Sequence, residues 1–555
     1  MSIFQKRPSA WGRSAVWCLG CLGLLVGGIS GAIGDERTRL QVVRRWTLAQ
    51  AAAAERAEDA DQVAARTGVC TLTLNLVNDQ NKPVPGLIRV TDLTSGKELR
   101  LTGPIARGEN WYTIPAQATV RLPRIRLRVE ALRGLDTEQA TTELDLREKP
   151  TATQQIALAS FYDAQARGLF AGNTHLHLMN MTHAEADDYL RLVPHSDGLD
   201  LVFLSYLRRV PDDRTYITNE IVKNSFSGGD LQRLSQSGVL FANGEEHRHN
   251  FGRYGEGYGH VMFLNLQQLI EPASLGPGIM AEGTDGVPMR RGILQARQQG
   301  ATILWCHNRF GIEAVPNWLE GLIHAQNIFD GGDHGSYDAT FYRYLNLGLK
   351  VPFSSGTDWM IYDFSRVYVP LFGKLSSADW LEALRSGHSY ITNGPFLELE
   401  TERGVLGDTL SLESPTTMTV VGRAMGRQPF TAVELVYNGK VVHRVPATRE
   451  GGYHIADLRH GLRIDEPGWF ALRIPPNAGK SELGHPLFAH TSPIYVELTG
   501  KRIFRAEVAQ DMITQLEQQL PRIEKEGKFA NENERLEIQK LYTKAIEQLR
   551  VQLGR

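Results

Sequence analysis

Residues 168–178 read GLFAGNTHLHL, an apolar, strand-like segment that ends on two histidines, His175 and His177. In a β-strand, residues two apart project to the same face of the sheet, so both imidazoles can reach one metal ion. An HxH pair arises easily by chance in a chain with 16 histidines, and a second pair, His247 and His249, is present. The first pair therefore predicts a metal site only if other candidate ligands come to the same place.

Further candidate ligands also lie at the ends of strand-like segments. In GVLFANGEEH, strand alternation places Glu246 rather than Glu245 on the face of Ala242 and Gly244, where small residues leave room. The remaining candidates are His260 at the start of HVMFLNL, His307 at the end of ILWCHN and Asp358 at the end of VPFSSGTD. Taken singly, each is more typical of a helix cap or a satisfied core residue. Imidazole or carboxylate groups at all five strand ends together indicate a metal site.

The region around these strand ends, residues 161–400, alternates buried-looking strands with helical stretches. Such alternation is typical of an α/β architecture, and a barrel fits this length. Barrels of this class carry their chemistry at the C-terminal ends of the strands. We therefore predict an α/β barrel with the candidate ligands on one rim.

The flanking regions have different patterns. Residues 69–160 and 401–500 contain short alternating strands with turn-rich connections, which predicts a β-sandwich domain on each side of the barrel. Residues 33–68 are predicted to be a helical segment that ends near Thr67 and Gly68. Residues 501–555 space apolar side chains at helical intervals around one break, which predicts a helical hairpin. That hairpin either folds back onto the chain or pairs with another chain.

The N-terminus resembles an export signal. Lys6, Arg7 and Arg13 precede an apolar, glycine-rich run, and small residues near Ala32 suit a cleavage site, so 1–32 is predicted to be a signal peptide. An uncleaved anchor is the alternative, because the run is just long enough to span a bilayer. No other stretch is long and apolar enough to cross a membrane. The protein is thus expected to be exported, to the periplasm, the cell surface or the medium.

The overall charge and the cysteines exclude some classes of protein. A formal net charge of -2 gives no reason to expect nucleic acid as a partner. Cys70 and Cys306 are the two cysteines beyond the predicted signal, and two distant cysteines do not make a disulfide framework. Stability must therefore come from ordinary hydrophobic cores.

The order of the motifs T-H-x-H, G-x-E, G-H, W-C-H and S-G-T-D resembles the polymerase-and-histidinol-phosphatase (PHP) superfamily of metallohydrolases. Within it, the sequence is most similar to the CehA/McbA-type subgroup, on the segments SGHSYITNGPFLEL (386–399) and AHTSPIYVEL (489–498). The resemblance covers about residues 165–500. It implies a distorted seven-stranded β/α barrel that holds up to three metal ions.

The resemblance also implies a ligand set. A first ion would be bound by His175, His177, Glu246 and Asp358, and Glu246 would bridge to a second ion bound by His260 and His307. The third ion of the family needs ligands at positions where this chain has Leu207 and Met360, and only His183 matches that set. A leucine and a thioether do not hold a hard cation. We therefore expect two divalent ions, and zinc, manganese and iron all suit these ligands.

The expected activity is hydrolysis of an ester by a metal-activated water. The wider superfamily implies phosphoesters, the subgroup implies carboxylic or carbamate esters, and export leaves both small molecules and cell-surface polymers open as substrates. Besides Glu246, the catalytic candidates are His183 and His249, as leaving-group acids or orienters. Arg248 and Arg309 are the candidates for binding an anionic group. The alternative is a catalytically inactive, metal-stabilised binding or scaffold protein of the cell envelope.

Overall fold

The structure is a computed structural model that describes residues 56–208, 216–227, 229–250, 257–277, 283–307, 311, 313–330 and 335–554. The predicted signal peptide and most of the predicted N-terminal helical segment lie outside these ranges. Among the helices of the described ranges, none combines the length and the apolar character that a membrane span requires.

The first described helix is Ala60–Thr67, the end of the predicted helical segment. It begins where the Asp59 carboxylate accepts hydrogen bonds from the backbone N–H groups of Asp61 and Gln62. It ends at Gly68, whose φ of 88° suits glycine. The end predicted near Thr67 and Gly68 is confirmed, but the segment is not helical throughout, because Glu58–Asp59 form a short strand that pairs with Leu99–Arg100.

Two β-sheets follow and share one hydrophobic core. Apolar residues of the first sheet (Leu72 and Leu74) and of the second (Val90 and Val129) belong to the same buried cluster. The alternation of CTLTLNLV places its leucines on that inner face. The strands of the first sheet are Val69–Asn78, Gln117–Pro123 and Thr151–Leu158. Those of the second are Gly86–Asp92, Ile105–Ala106, Tyr112–Ile114, Arg126–Leu132 and Ala140–Asp145. A short pair, Glu58–Asp59 with Leu99–Arg100, lies beside them.

The central sheet curls round on itself. Its strands are β1 (Leu169–His177), β2 (Leu201–Tyr206), β3 (Leu240–His249), β4 (Gly259–Leu264), β5 (Thr302–Trp305), β6 (Ala325–Asn327) and β7 (Phe353–Ser354). Successive strands pair from β1 to β7, and the short strand Asp358–Trp359 after β7 pairs in parallel with the end of β1. The described residues therefore form a mixed α/β structure with a curled main sheet.

Strand β4 runs in the opposite direction to the strands on either side of it. It is antiparallel to both β3 and β5, whereas the other successive pairings are parallel. Its N-terminal end therefore lies at the same rim as the C-terminal ends of β1, β3 and β5. This reversal explains how a histidine at the start of a strand, His260, comes to the rim that holds the ends of the others.

Helices lie between the strands of the curled sheet. The helix His183–Ser196 begins with a capping box in which Thr182 and Glu185 satisfy each other's backbone N–H groups. The helix Met289–Gln298 buries Met289, Gly292 and Ile293 on one face. The other helices are Ile217–Ser225, Asp230–Ser235, Ala314–Leu319, Ser377–Arg385 and the short Arg343–Leu345, which continues the π-helical turn Asp338–Tyr342.

The C-terminal strands continue the central sheet without a break in hydrogen bonding. Arg366–Pro370 pairs with β1 and with Tyr390–Thr392, and the latter pairs with Ala489–Thr491. The same sheet includes Ser274–Leu275, Thr409–Leu412, Ala432–Tyr437, Lys440–Pro446, Gly468–Arg473 and Ile494–Leu498. A separate four-stranded sheet contains Phe396–Thr401, Thr416–Gly426, Thr448–Glu450 and Tyr453–Ile464.

The chain ends in two long helices, Ala506–Glu526 and Glu532–Leu553, here called the terminal hairpin. Met512, Leu516 and Tyr542 of this hairpin belong to the same buried cluster as residues of β4 and β5. The hairpin thus folds back onto the rest of the chain, next to the helix Ala314–Leu319, which is the first of the two outcomes predicted for it. Pairing with another chain stays a prediction.

Candidate metal centre

Four of the predicted ligands converge on one point at the rim of the curled sheet. His175 and His177 end β1, Glu246 lies near the end of β3, and Asp358 follows β7. One ligand atom from each lies within 4.8 Å of the others, and all four side chains are buried. His177 Nε2 is 3.1 Å from both His175 Nε2 and Glu246 Oε2. Asp358 Oδ1 is 3.3 Å from His175 Nε2. The four therefore form a first candidate ion site.

Glu246 also takes part in a second convergence. Its Oε1 atom lies 2.9 Å from His260 Nδ1 and 3.7 Å from His307 Nε2, and these three residues form a second buried group. Its Oε2 atom faces the first group. One carboxylate thus presents one oxygen to each group, which is the geometry that a ligand shared by two ions requires. Strand alternation correctly placed Glu246, not Glu245, on this face.

The hydrogen bonds of the imidazoles favour a cation at the first point. His177 Nδ1 is 3.0 Å from the backbone oxygen of Ser205, which can only accept, so we assign the proton to Nδ1. His175 Nδ1 is 3.0 Å from a carboxylate oxygen of Asp330, and the same assignment follows. Both Nε2 atoms then present lone pairs to each other and to the oxygens of Glu246 and Asp358. Such a set of acceptors in a buried place fits a divalent ion.

The electrostatic balance of the site agrees with this. Burial alone would lower the pKa of His175, but the carboxylates of Asp358 and Asp330 and the Cys306 thiol raise it well above its usual range. Burial would raise the pKa of Glu246, yet Arg248 and the surrounding imidazoles hold it well below its usual range. The site thus keeps Glu246 ionised and attracts positive charge. A bound ion supplies that charge without protonating the ligands.

Asp330 is the site residue that the sequence reading missed. It follows β6 closely and forms a third buried group with His175 and His307. This group uses the Nδ1 atoms of the two histidines, whereas the two ion sites use their Nε2 atoms. The signal in the sequence was weaker than for the other candidates, because Asp330 follows a three-residue strand in which Gln326 and Asn327 are polar.

The backbone is strained at two of the ligands, His307 just after β5 and Asp358 at the start of the short strand Asp358–Trp359. His307 and Asp358 have φ values of 50° and 59°, and Met360 has a φ of 57°. Left-handed backbone is uncommon for residues other than glycine and is concentrated at functional sites. Close approach is also built in at Gly356, where an added Cβ would lie 2.7 Å from the backbone nitrogen of His175. The loop before Asp358 therefore packs closely against β1.

The structure does not bring the predicted catalytic histidines into either group. His183 begins a helix with 38% of its side chain exposed, and its Nε2 is 4.0 Å from Asp230. His249 lies on the opposite face of β3 from Glu246, with Nε2 3.2 Å from Asp285 Oδ1. Within the described residues, neither faces the point where the ligands of the two groups meet.

The two arginines predicted to bind an anionic group have different outcomes. Arg248 shares the inward face of β3, and its Nη1 atom is 3.8 Å from Glu246 Oε2. It is buried, so it is a fixed positive charge next to the candidate centre. Arg309 lies outside the described residues.

The positions expected to have lost a third ion are occupied by structural contacts. Leu207 is buried, and its backbone N–H and C=O both hydrogen-bond the side-chain amide of Asn219. The backbone N–H of Met360 donates to the carbonyl oxygen of His177. Neither residue offers an oxygen or nitrogen side-chain ligand.

No protein-family model matches this chain, and no curated protein matches it. Among solved structures, the crystal structure of beta-glucuronidase from Parabacteroides merdae aligns with 75% of this chain. The alignment has 10% sequence identity and a TM-score of 0.16, and the chain spans 60% of the length of that protein. A likeness of this size carries no argument about fold or function.

Proposed function

We propose that this chain is an exported hydrolase of ester bonds that uses two divalent metal ions, with a PHP-type barrel of the CehA/McbA kind as its core. The observation that carries the proposal is the convergence of imidazole lone pairs and carboxylate oxygens on two points joined by Glu246. The motif order of the sequence supports the same reading. Phosphoesters are the first substrate class to test, followed by carboxylic and carbamate esters.

In this proposal, some residues of the site bind the metal ions and others orient the ligands. His175, His177 and Asp358 would hold one ion, His260 and His307 the other, and Glu246 both. Two ions held in this way would supply an activated water near neutral pH and would balance the charge that develops on the ester oxygen. Arg248 is placed to balance negative charge beside Glu246. His177 is oriented by Ser205, and His175 by Asp330.

The alternative is a binding or scaffold protein stabilised by metal. The contacts of Leu207, where a third-site ligand is missing, favour it. The intact pair of sites speaks against it, because a purely structural ion needs no carboxylate shared between two groups. The two hypotheses differ in whether the metal-loaded protein hydrolyses esters at all.

A hydrolase panel tests the proposal directly. The purified protein, stripped of metal and reloaded with zinc, manganese or iron, is assayed on phosphomonoesters, phosphodiesters, carboxylic esters and carbamates. We expect cleavage of at least one class that is lost with a chelator and restored by metal. A protein that binds metal but cleaves none of these esters with any of the three ions would support the scaffold reading.

A further inference from the structure

Asp330 lies between the two candidate ion sites and contacts a histidine of each. Its Oδ2 atom is 3.0 Å from His175 Nδ1, and its Oδ1 atom is 3.1 Å from His307 Nδ1. Two more donors complete its surroundings: the backbone N–H of His307 at 3.1 Å from Oδ1 and Asn327 Nδ2 at 3.2 Å from Oδ2. The carboxylate is fully buried. It is thus held by four donors from three residues.

This arrangement decides what Asp330 does. An ionised carboxylate offers about four lone-pair directions, and here four donors occupy them. No direction is left for a metal ion, so Asp330 is not itself a ligand. Because it can only accept, both imidazoles must carry their proton on Nδ1. Their Nε2 atoms are then left as lone pairs that face the side of Glu246.

We propose that Asp330 is a positioning residue that fixes the tautomer and the ring orientation of one ligand at each of the two metal ions. The inference rests on the proposed metal centre and adds a link between its two sites. Carboxylates that orient a metal-bound imidazole typically change metal affinity about 10–100-fold. Here a single carboxylate does so for His175 and His307 together, so the two sites depend on the same group.

The substitution Asp330→Asn is expected to affect the two ion sites unequally. An amide has one accepting oxygen and one donating nitrogen, so it cannot accept from both imidazoles. The backbone N–H of His307 can only donate a hydrogen bond, so the amide oxygen of the substituted side chain must lie on the His307 side. The amide nitrogen then faces His175 Nδ1, and that imidazole must move its proton to Nε2. His175 would therefore be lost as a ligand, while His307 would be kept.

The test is a metal titration by calorimetry of the metal-free full chain with zinc or manganese. We expect two ions for the wild type. For Asp330→Asn we expect one ion with unchanged affinity and a second, at the His175 site, weakened about 10–100-fold. The matched control is Asp363→Asn, which changes another buried carboxylate that bonds Ser481 and Asn393 and belongs to neither ion group. It should bind two ions like the wild type.

The outcomes separate the inference from the proposed function. If Asp330→Asn binds two ions with wild-type affinities, the positioning role is overturned and the metal centre stands. If the wild type binds no ion, the proposed function itself fails. If Asp330→Asn does not fold, nitrogen NMR of ¹⁵N-histidine in the zinc-loaded wild type gives the tautomers directly. Protons on Nδ1 of both His175 and His307 support the inference, and a proton on Nε2 of either one refutes it.

Discussion

The two faces of strand β3 carry similar residues in very different arrangements. The inward face has Glu246 and the outward face has Glu245, His247 and His249, and all of these side chains are buried. On the outward face, Glu245 Oε1 is 3.1 Å from His247 Nδ1, and its Oε2 accepts the backbone N–H of Ile270. His247 thus has Glu245 as a carboxylate partner, and His249 has Asp285. On the inward face, ligand atoms from separate strands meet at shared points.

The difference teaches that buried histidines and acids do not by themselves define a metal site. His247 is packed against the helix Met289–Gln298, where a Cβ on Gly292 would lie 2.5 Å from its ring. His249 stacks on Tyr258 with ring centroids 4.1 Å apart. These contacts fill the outward face with ordinary packing. The inward face differs because ligand atoms from several residues surround one point. No single hydrogen-bond partner placed there could satisfy all of these acceptors, whereas a metal ion could.

The difference between the two faces of β3 is tested most directly by substituting the two adjacent glutamates separately. Glu246→Gln removes the charge that the two candidate ion sites share, so the second ion should be lost and kcat should fall by about two orders of magnitude or more. Glu245→Gln changes the carboxyl group on the other face and should leave kcat within a few-fold of the wild type. Both are assayed on the ester that the wild type cleaves best, with circular dichroism as the control for folding. Full activity of Glu246→Gln would contradict the two-metal mechanism.

Removal of metal should destabilise the protein without unfolding it. An ion that binds only the folded chain stabilises it by about 2.7 kcal/mol when its free concentration is about 100 times Kd. Elemental analysis should find two ions per chain, and a chelator should lower Tm by several degrees. Secondary structure should persist, because the hydrophobic cores do not involve the ligands. Three tightly held ions would mean that other residues rebuild the site expected to be lost at Leu207 and Met360.

Disruption of the outward face should affect stability but not metal binding. In His249→Ala, Asp285 loses its histidine partner and Tyr258 loses a stacked ring, which should cost about 1–3 kcal/mol of folding free energy. Asp285 also accepts the backbone N–H of Lys528, so the connection of the terminal hairpin should loosen. Chemical denaturation measures the loss of stability, and a metal titration provides the comparison. A change in the number of bound ions would mean that the two faces are not independent.

Local sequence patterns predicted the inward face better than the outward one. Alternation within GVLFANGEEH was enough to orient Glu246, and strand ends were enough to find His307 and Asp358. The role of Asp330 was out of reach because it depends on a contact with His175, 155 residues away in sequence. For the same reason the partner of His249, Asp285, could not be read from its neighbours. The periodicity of a sequence indicates on which face of a strand or helix a residue lies. Which side chains it contacts there depends on tertiary packing.

The fold shows the same division. Strand and helix types followed from local periodicity, and the capped end of Ala60–Thr67 was predicted within a residue. The continuity of the central sheet was not visible, because Tyr390–Thr392 pairs with Ala489–Thr491 across about a hundred residues. The reversed direction of β4 was also unseen, since all of Gly259–Leu264 is buried and β4 therefore lacks the alternation of buried and exposed residues that is common in antiparallel strands.

The smallest expected effect is at His183, which lies on neither face of β3. Its predicted role depended on third-site partners that are replaced by Leu207 and Met360, and its side chain is partly exposed beside Asp230. His183→Ala should therefore leave both ions bound and lower kcat by less than about tenfold, which is below the roughly 100- to 10,000-fold that a proton donor contributes. Alanine suits the first turn of a helix, so Tm should hardly change. The measurement is kcat as a function of pH with a metal count on the same sample. A loss of a hundredfold or more in kcat with two ions still bound would indicate that His183 contacts the reacting ester. His183 would then have to move towards the candidate metal centre.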